Sequence, residues 1–130
     1  MTTPAPLLTA VSLFEGNGSF VVKYELDGPI PQTDTFLVGL HGVSQDGAVV
    51  RQIGTKFLDG ACIANFIFDH NAASQENFEY VPATDDAHLI FASYPMGPLE
   101  ALGETPKFRG YLNFAGSDHQ NDVPVEIVTA

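Results

Sequence analysis

Apolar and polar residues alternate with period two along much of the chain, and helical periodicity is hard to find. Phe20, Val22, Tyr24 and Leu26 alternate with Val21, Lys23, Glu25 and Asp27, the pattern of a strand with one buried face. Phe108, Gly110, Leu112 and Phe114 alternate in the same way with Arg109, Tyr111 and Asn113, and Glu79 lies between Phe78 and Tyr80. The segments 36–43, 61–68 and 88–94 are more continuously apolar, as central strands covered on both faces would be.

Turn signals separate these runs. Asn17-Gly18, Asp46-Gly47 and Asp59-Gly60 each read as a hairpin turn, because Asn or Asp followed by Gly accepts positive φ. Looser connections fall at 27–34, 69–77, 83–87, 96–106 and 115–122. Nine strands follow, over 7–14, 19–26, 35–43, 48–58, 61–68, 77–82, 88–94, 107–114 and 123–129. Residues 1–6 read as a short N-terminal tail, and at most one short helical turn is expected, near 99–102.

Many short strands punctuated by Gly and Pro predict an all-β fold. The expected form is one β-sandwich domain over residues 1–130, mostly antiparallel, with a jelly-roll, Ig-like topology or barrel as the alternatives. A standard immunoglobulin domain fits poorly, because the chain has no Trp and only one Cys. Gly54, inside a long strand, predicts a bulge or bend, and Pro124 suits an edge strand.

Composition narrows the functional classes. A chain of 130 residues with 45% hydrophobic content, ten Phe and four Tyr can bury a core without disulfides. Charged residues are only 16%, against roughly 25% in an average domain, so the net charge of −11 reflects scarce Lys and Arg. All five basic residues (Lys23, Arg51, Lys56, Lys107, Arg109) fall in predicted strands. Of 16 carboxylates, only Glu25, Glu79 and Glu126 do, which leaves 13 in turns and loops. Five scattered cations build no basic stripe, which argues against nucleic acid as a partner. No run approaches the roughly 20 apolar residues of a membrane span. Met1–Pro6 lacks the basic start and apolar run of a signal peptide, so a cytoplasmic or intravirion chain is expected, a trimmed mature form remaining open.

Candidate chemistry is sparse. Cys62, among Ala61, Ile63 and Ala64, reads as a buried structural thiol. Antiparallel succession would gather the connections 27–34, 59–60, 83–87 and 115–122 at one end, with seven Asp and no cation. Asp85, Asp86, Asp118 and Asp122 are the candidate ligands of a calcium site there. The same residues are also explained as turn formers, with no metal and no cofactor. His41 sits in an apolar strand, His70 and His119 each follow an Asp, and His88 opens a strand. No His-x-His pattern with a downstream Glu, nucleophile elbow or phosphate loop is present.

Arg109, Tyr111 and Asn113 form a predicted outward row able to stack on and hydrogen-bond a sugar or a partner chain; an ordinary sheet exterior is the alternative. The loop 96–106, with Met96, Leu99 and Leu102, is a candidate contact arm. The leading expectation is therefore a non-catalytic binding or assembly module, a structural or accessory subunit that acts through protein–protein contacts, with self-association favoured. A carbohydrate-binding module with calcium in its Asp-rich loops is the alternative, and a small hydrolase the third.

Overall fold

The computed structural model describes residues 6–15, 19–78, 83–85, 88–95, 97–103 and 106–128. Its strands are β1 (Leu8–Glu15), β2 (Ser19–Leu26), β3 (Thr35–Val43), β4 (Val50–Leu58), β5 (Ala61–Asp69), β6 (Ser74–Asn77), β7 (Ala83–Asp85), β8 (Leu89–Pro95), β9 (Lys107–Phe114) and β10 (Ser117–Val128). A single 3-10 turn, Gly97–Leu102, contains the expected helical residues. Seven of the nine expected strands coincide with β1–β5, β8 and β9 to within two residues. β6 and β7 occupy expected loops, and the expected strand 77–82 falls largely outside the described residues, as does the Asn17-Gly18 turn.

β10 begins six residues before its expected start at 123, inside the expected loop 115–122. Ala115 (φ 52°) and Gly116 (φ 84°) make a tight turn of the kind that Asp59 (φ 50°) and Gly60 (φ 84°) make between β4 and β5. Alanine rarely adopts positive φ, so the first of these turns carries no sequence signal.

The all-β expectation holds, but the two sheets expected of a sandwich are joined in one continuous ladder. Its order is β6-β5-β4-β3-β9-β10-β1-β2-β8-β7, curled into a half-barrel. The curl follows from connectivity. β6 and β7 are consecutive in the chain yet stand at opposite edges of the sheet. A flat ten-stranded sheet would be about 43 Å wide, whereas the chain from Asn77 to Ala83 reaches at most roughly 20 Å. The two edges must approach one another.

β10 joins the halves. Its first part pairs antiparallel with β9 as far as Pro124↔Arg109, and Val125–Val128 pair parallel with Val11–Phe14 of β1. Among the described residues this is the one parallel pairing. Pro124 is therefore in the middle of the sheet rather than on an edge. It sits where the strand passes from one neighbour to the other, a place where a missing N–H is tolerated.

Phe36, Val38, Leu40, Ile53 and Leu112 from one half face Val22, Tyr24, Ile90 and Tyr94 from the other, all fully buried. Leu99 and Leu102 of the 3-10 turn are also buried, Leu102 within reach of Phe108 and Gly42, so the expected contact arm is part of the core. Met96 lies outside the described residues.

A polar chain crosses this core. Thr55 Oγ1 donates to Asn65 Oδ1 at 2.6 Å, and Asn65 Nδ2 donates to the carbonyl of Ser93 at 2.9 Å. With its proton so used, Thr55 accepts from Tyr94 Oη at 2.6 Å, and Tyr94 in turn accepts from Tyr24 Oη at 3.0 Å. Burial raises the pKa of both tyrosines, which stay neutral donors. Among the described residues no buried side-chain N or O lacks a partner, and no helix is long and apolar enough to cross a membrane.

Candidate functional site

Paired residues in an antiparallel ladder lie on the same face, so register maps the side of the sheet turned away from the core. One row across it reads Phe66 (β5), Gly54 (β4), Gly39 (β3) and Tyr111 (β9). The two glycines form a trough, and the aromatic rings lie over it. A Cβ added at Gly54 would sit 2.5 Å from Phe66 Cζ and 2.7 Å from Tyr111 Oη, and one at Gly39 would meet the tyrosine and the carbonyl of Ile53. Gly54 thus admits a ring; it makes no bulge, and the register shift in β4–β5 comes later, between Lys56 and Phe57.

The expected row Arg109, Tyr111, Asn113 does face outward, but it gives no stacking platform. Tyr111 is folded down and 3% exposed. Its hydroxyl donates to the carbonyl of Ile53 at 3.0 Å, and His41 stacks on its ring with centroids 4.6 Å apart. Burial raises the Tyr111 pKa, which keeps the hydroxyl a donor. Asn113 Nδ2 donates to Asp118 Oδ1 at 2.9 Å, and Arg109 Nε pairs with Asp122 Oδ1 at 2.9 Å.

The next row holds Arg109, His41, Gln52 and Phe68. Gln52 Nε2 donates to Tyr111 Oη at 3.0 Å, and Gln52 Oε1 lies 3.3 Å from His70 Nε2. Phe68 meets His70 edge-on with centroids 4.8 Å apart. The His41 pKa is lowered, first by burial and then by the neighbouring His70, and this keeps the ring neutral around pH 7.

The charge pattern changes meaning once the strands are placed. Glu15, Asp69, Glu76, Asp85, Asp118 and Asp122 join Glu25 and Glu126 on strands, so carboxylates are not confined to loops. The central strands β3, β4 and β9 carry none. Lys56, Lys107 and Arg109, three of the five cations, lie on the outer face of those strands. Leu37 and Phe68 are half-buried on that face, Leu58 at its β4–β5 end is 42% exposed, and Ile63, at the register shift beside it, is 53% exposed.

Of the four expected metal ligands, only Asp118 and Asp122 have described side chains. Asp118 and Asp122 are strand residues with the partners just named, and Asp122 is paired with a cation, Arg109. Asp85 is on β7, separated from β10 by three intervening strands in the ladder, its side chain outside the described residues, as is all of Asp86. Among the described residues no three His, Cys, Asp or Glu groups converge as a metal would need. Several other aspartates shape turns. Asp27 Oδ1 accepts from Leu7 N, Asp59 Oδ1 from Asp34 N, and Asp46 Oδ1 from Ser44 Oγ and Ala48 N.

Cys62 is half-buried, its thiol pKa raised by burial, which disfavours the nucleophilic thiolate. An open cleft of about 520 Å³ is lined by Arg51, Asp69, Ser74, Glu76, Gly97 and Ala101. Its guanidinium is held by Asp69 Oδ1 and Asn71 Oδ1, both at 2.9 Å. His88 and His119 are exposed.

Sequence reasoning passed over the Gly39–Gly54 trough and the His41–Gln52–His70 group. The first had a readable signal: Gly39 and Gly54 are equidistant from the Asp46-Gly47 turn, so a hairpin centred there must pair them. The second had none, because His70 follows the end of β5 and reaches Gln52 across a strand. Comparison with protein-family models, curated proteins and solved structures finds no match.

Proposed function

We propose that the protein is a non-catalytic assembly module that contacts protein partners through the outer face of β5, β4, β3 and β9. The observation that carries this reading is the composition of that face. In a strongly acidic protein it bears three of the five cations and no carboxylate on β3, β4 or β9, beside the apolar side chains of Leu37, Phe68 and Leu58, with the exposed Ile63 at the register shift next to Leu58. A sheet exterior that faces only water is ordinarily polar along alternate positions. Contiguous apolar surface edged by charge is the mark of a contact surface.

A second copy of the chain is the favoured partner. Face-to-face pairing would set cations against cations. An acidic edge of another copy, where β6 carries the exposed Glu76, complements them instead. Such face-to-edge contacts are heterologous, and they close into rings or extend as filaments.

Light scattering and sedimentation across a concentration series test this. Association should weaken with salt and fall further in Leu58→Asp and Ile63→Asp, which sit at exposed positions. A strict monomer at the highest concentration in low salt would overturn self-association.

A further inference from the structure

On the outer face two imidazoles from different parts of the chain flank one glutamine side chain. Gln52 is anchored from behind, since its Nε2 donates to Tyr111 Oη, and this directs Oε1 away from the tyrosine. His70 Nε2 lies 3.3 Å from that oxygen, and His41 stands opposite Gln52 in the β3–β4 ladder. The two ring centroids are 6.3 Å apart with their planes at 60°. Imidazole nitrogens bind zinc at about 2.0–2.1 Å, which places two ring centroids on one tetrahedral ion about 5 Å apart. The pair stands about 1 Å wider, a difference that a small turn of the exposed His70 ring removes.

Both rings are oriented before any ion arrives. His41 is stacked on Tyr111, and His70 is held edge-on by Phe68. Two neutral nitrogens with an amide oxygen or water are a donor set for the nickel–copper–zinc group rather than for calcium or magnesium. The nearest cation on this face, Arg109 opposite His41, is paired with Asp122, and Asp118 acts on His41 with the opposite sign. Because His70 is exposed, an ion there would keep open positions for water or for a ligand brought by another molecule.

We propose that His41 and His70 together bind one divalent transition-metal ion, with the Gln52 amide oxygen or water completing its coordination. The ion would tie β3 to the turn after β5. Metal and protons compete for the same ring nitrogens.

Calorimetry with zinc and with nickel on the untagged chain at pH 7.5 provides the test, alongside thermal unfolding. One ion per chain should bind and raise the unfolding midpoint, which calcium at the same concentration should not do. His70→Ala, at an exposed turn position, should lower the affinity at least tenfold while the metal-free midpoint stays unchanged. His88→Ala and His119→Ala should bind as the parent does. Absence of binding at millimolar metal would overturn the proposal. So would binding undiminished in His70→Ala, or binding lost in His119→Ala.

Discussion

Gly39 stands opposite Tyr111 in the β3–β9 ladder, and the phenol occupies the space that a side chain at Gly39 would need. Glycine and ring form one packing unit, which explains both a mid-strand glycine and a buried tyrosine on an outward face.

Gly39→Ala should therefore destabilise the protein even though alanine suits strands better than glycine. The new Cβ meets a backbone carbonyl, which cannot yield as a flexible side chain does. The overpacking should cost about 1–3 kcal/mol. Tyr111→Phe, which keeps the ring and loses the bond to Ile53, should cost about 0.5–1.5 kcal/mol. Urea unfolding of the two variants should rank them in that order. A Gly39→Ala variant more stable than the parent would show that the trough is not filled as described.

Thr55→Val keeps the shape of a fully buried side chain while it deprives Asn65 Oδ1 of a donor and Tyr94 of an acceptor. The orphaned groups should cost about 1–3 kcal/mol. Since Thr55 and Tyr94 share one bond, a double-mutant cycle with Tyr94→Phe should be non-additive. Additive effects in equilibrium unfolding would mean that the chain across the core is not continuous.

Two ion pairs of equal length should differ in weight. Arg51–Asp69 and Arg109–Asp122 are each 2.9 Å, but the first pair is 12% and 30% exposed and the second 56% and 82%. Asp122→Ala should change stability by less than about 0.5 kcal/mol. Asp69→Ala should cost more, because Asp69 Oδ1 also accepts from Asn71 N and Ala72 N and so holds the turn after β5.

His41 imparts a pH dependence of definite sign. Burial lowers its folded-state pKa below the ordinary 6.5. Between those two values the unfolded chain binds more protons, so stability is full above about pH 6.5 and declines as the pH falls through 6.5 towards the folded pKa. Unfolding free energies from pH 7.5 to 5 should show this decline in the parent and a smaller one in His41→Gln. An equal decline in both would assign the effect to other groups.

Alternation along the sequence was enough to locate most strands and the buried side of each, because a period of two leaves little choice of face. It could not order them. The hydrophobic pattern of β9 or β10 says which side chains enter the core but not which strand lies beside it, and the β10 switch rests on a turn at Ala115-Gly116 without a composition signal. The row of Arg109, Tyr111 and Asn113 lies on the expected face, with Arg109 exposed as expected and Tyr111 buried against expectation. Whether an outward ring stands up or lies flat depends on the residue opposite, here Gly39, one strand away and 72 positions earlier.

The parallel pair of β1 with β10 joins Val11 to Val125, and β3 with β9 joins Gly39 to Tyr111. The β3–β4, β4–β5 and β9–β10 hairpins, by contrast, close over short loops. Loop-closure entropy makes the hairpins early events and these long-range ladders, together with β2–β8, late ones. Refolding should accordingly run on the millisecond-to-second scale of non-local β-proteins. Until those ladders form, the flanks of β1, β3 and β9 stand unpaired, and in that interval the chain is most exposed to pairing with its neighbours.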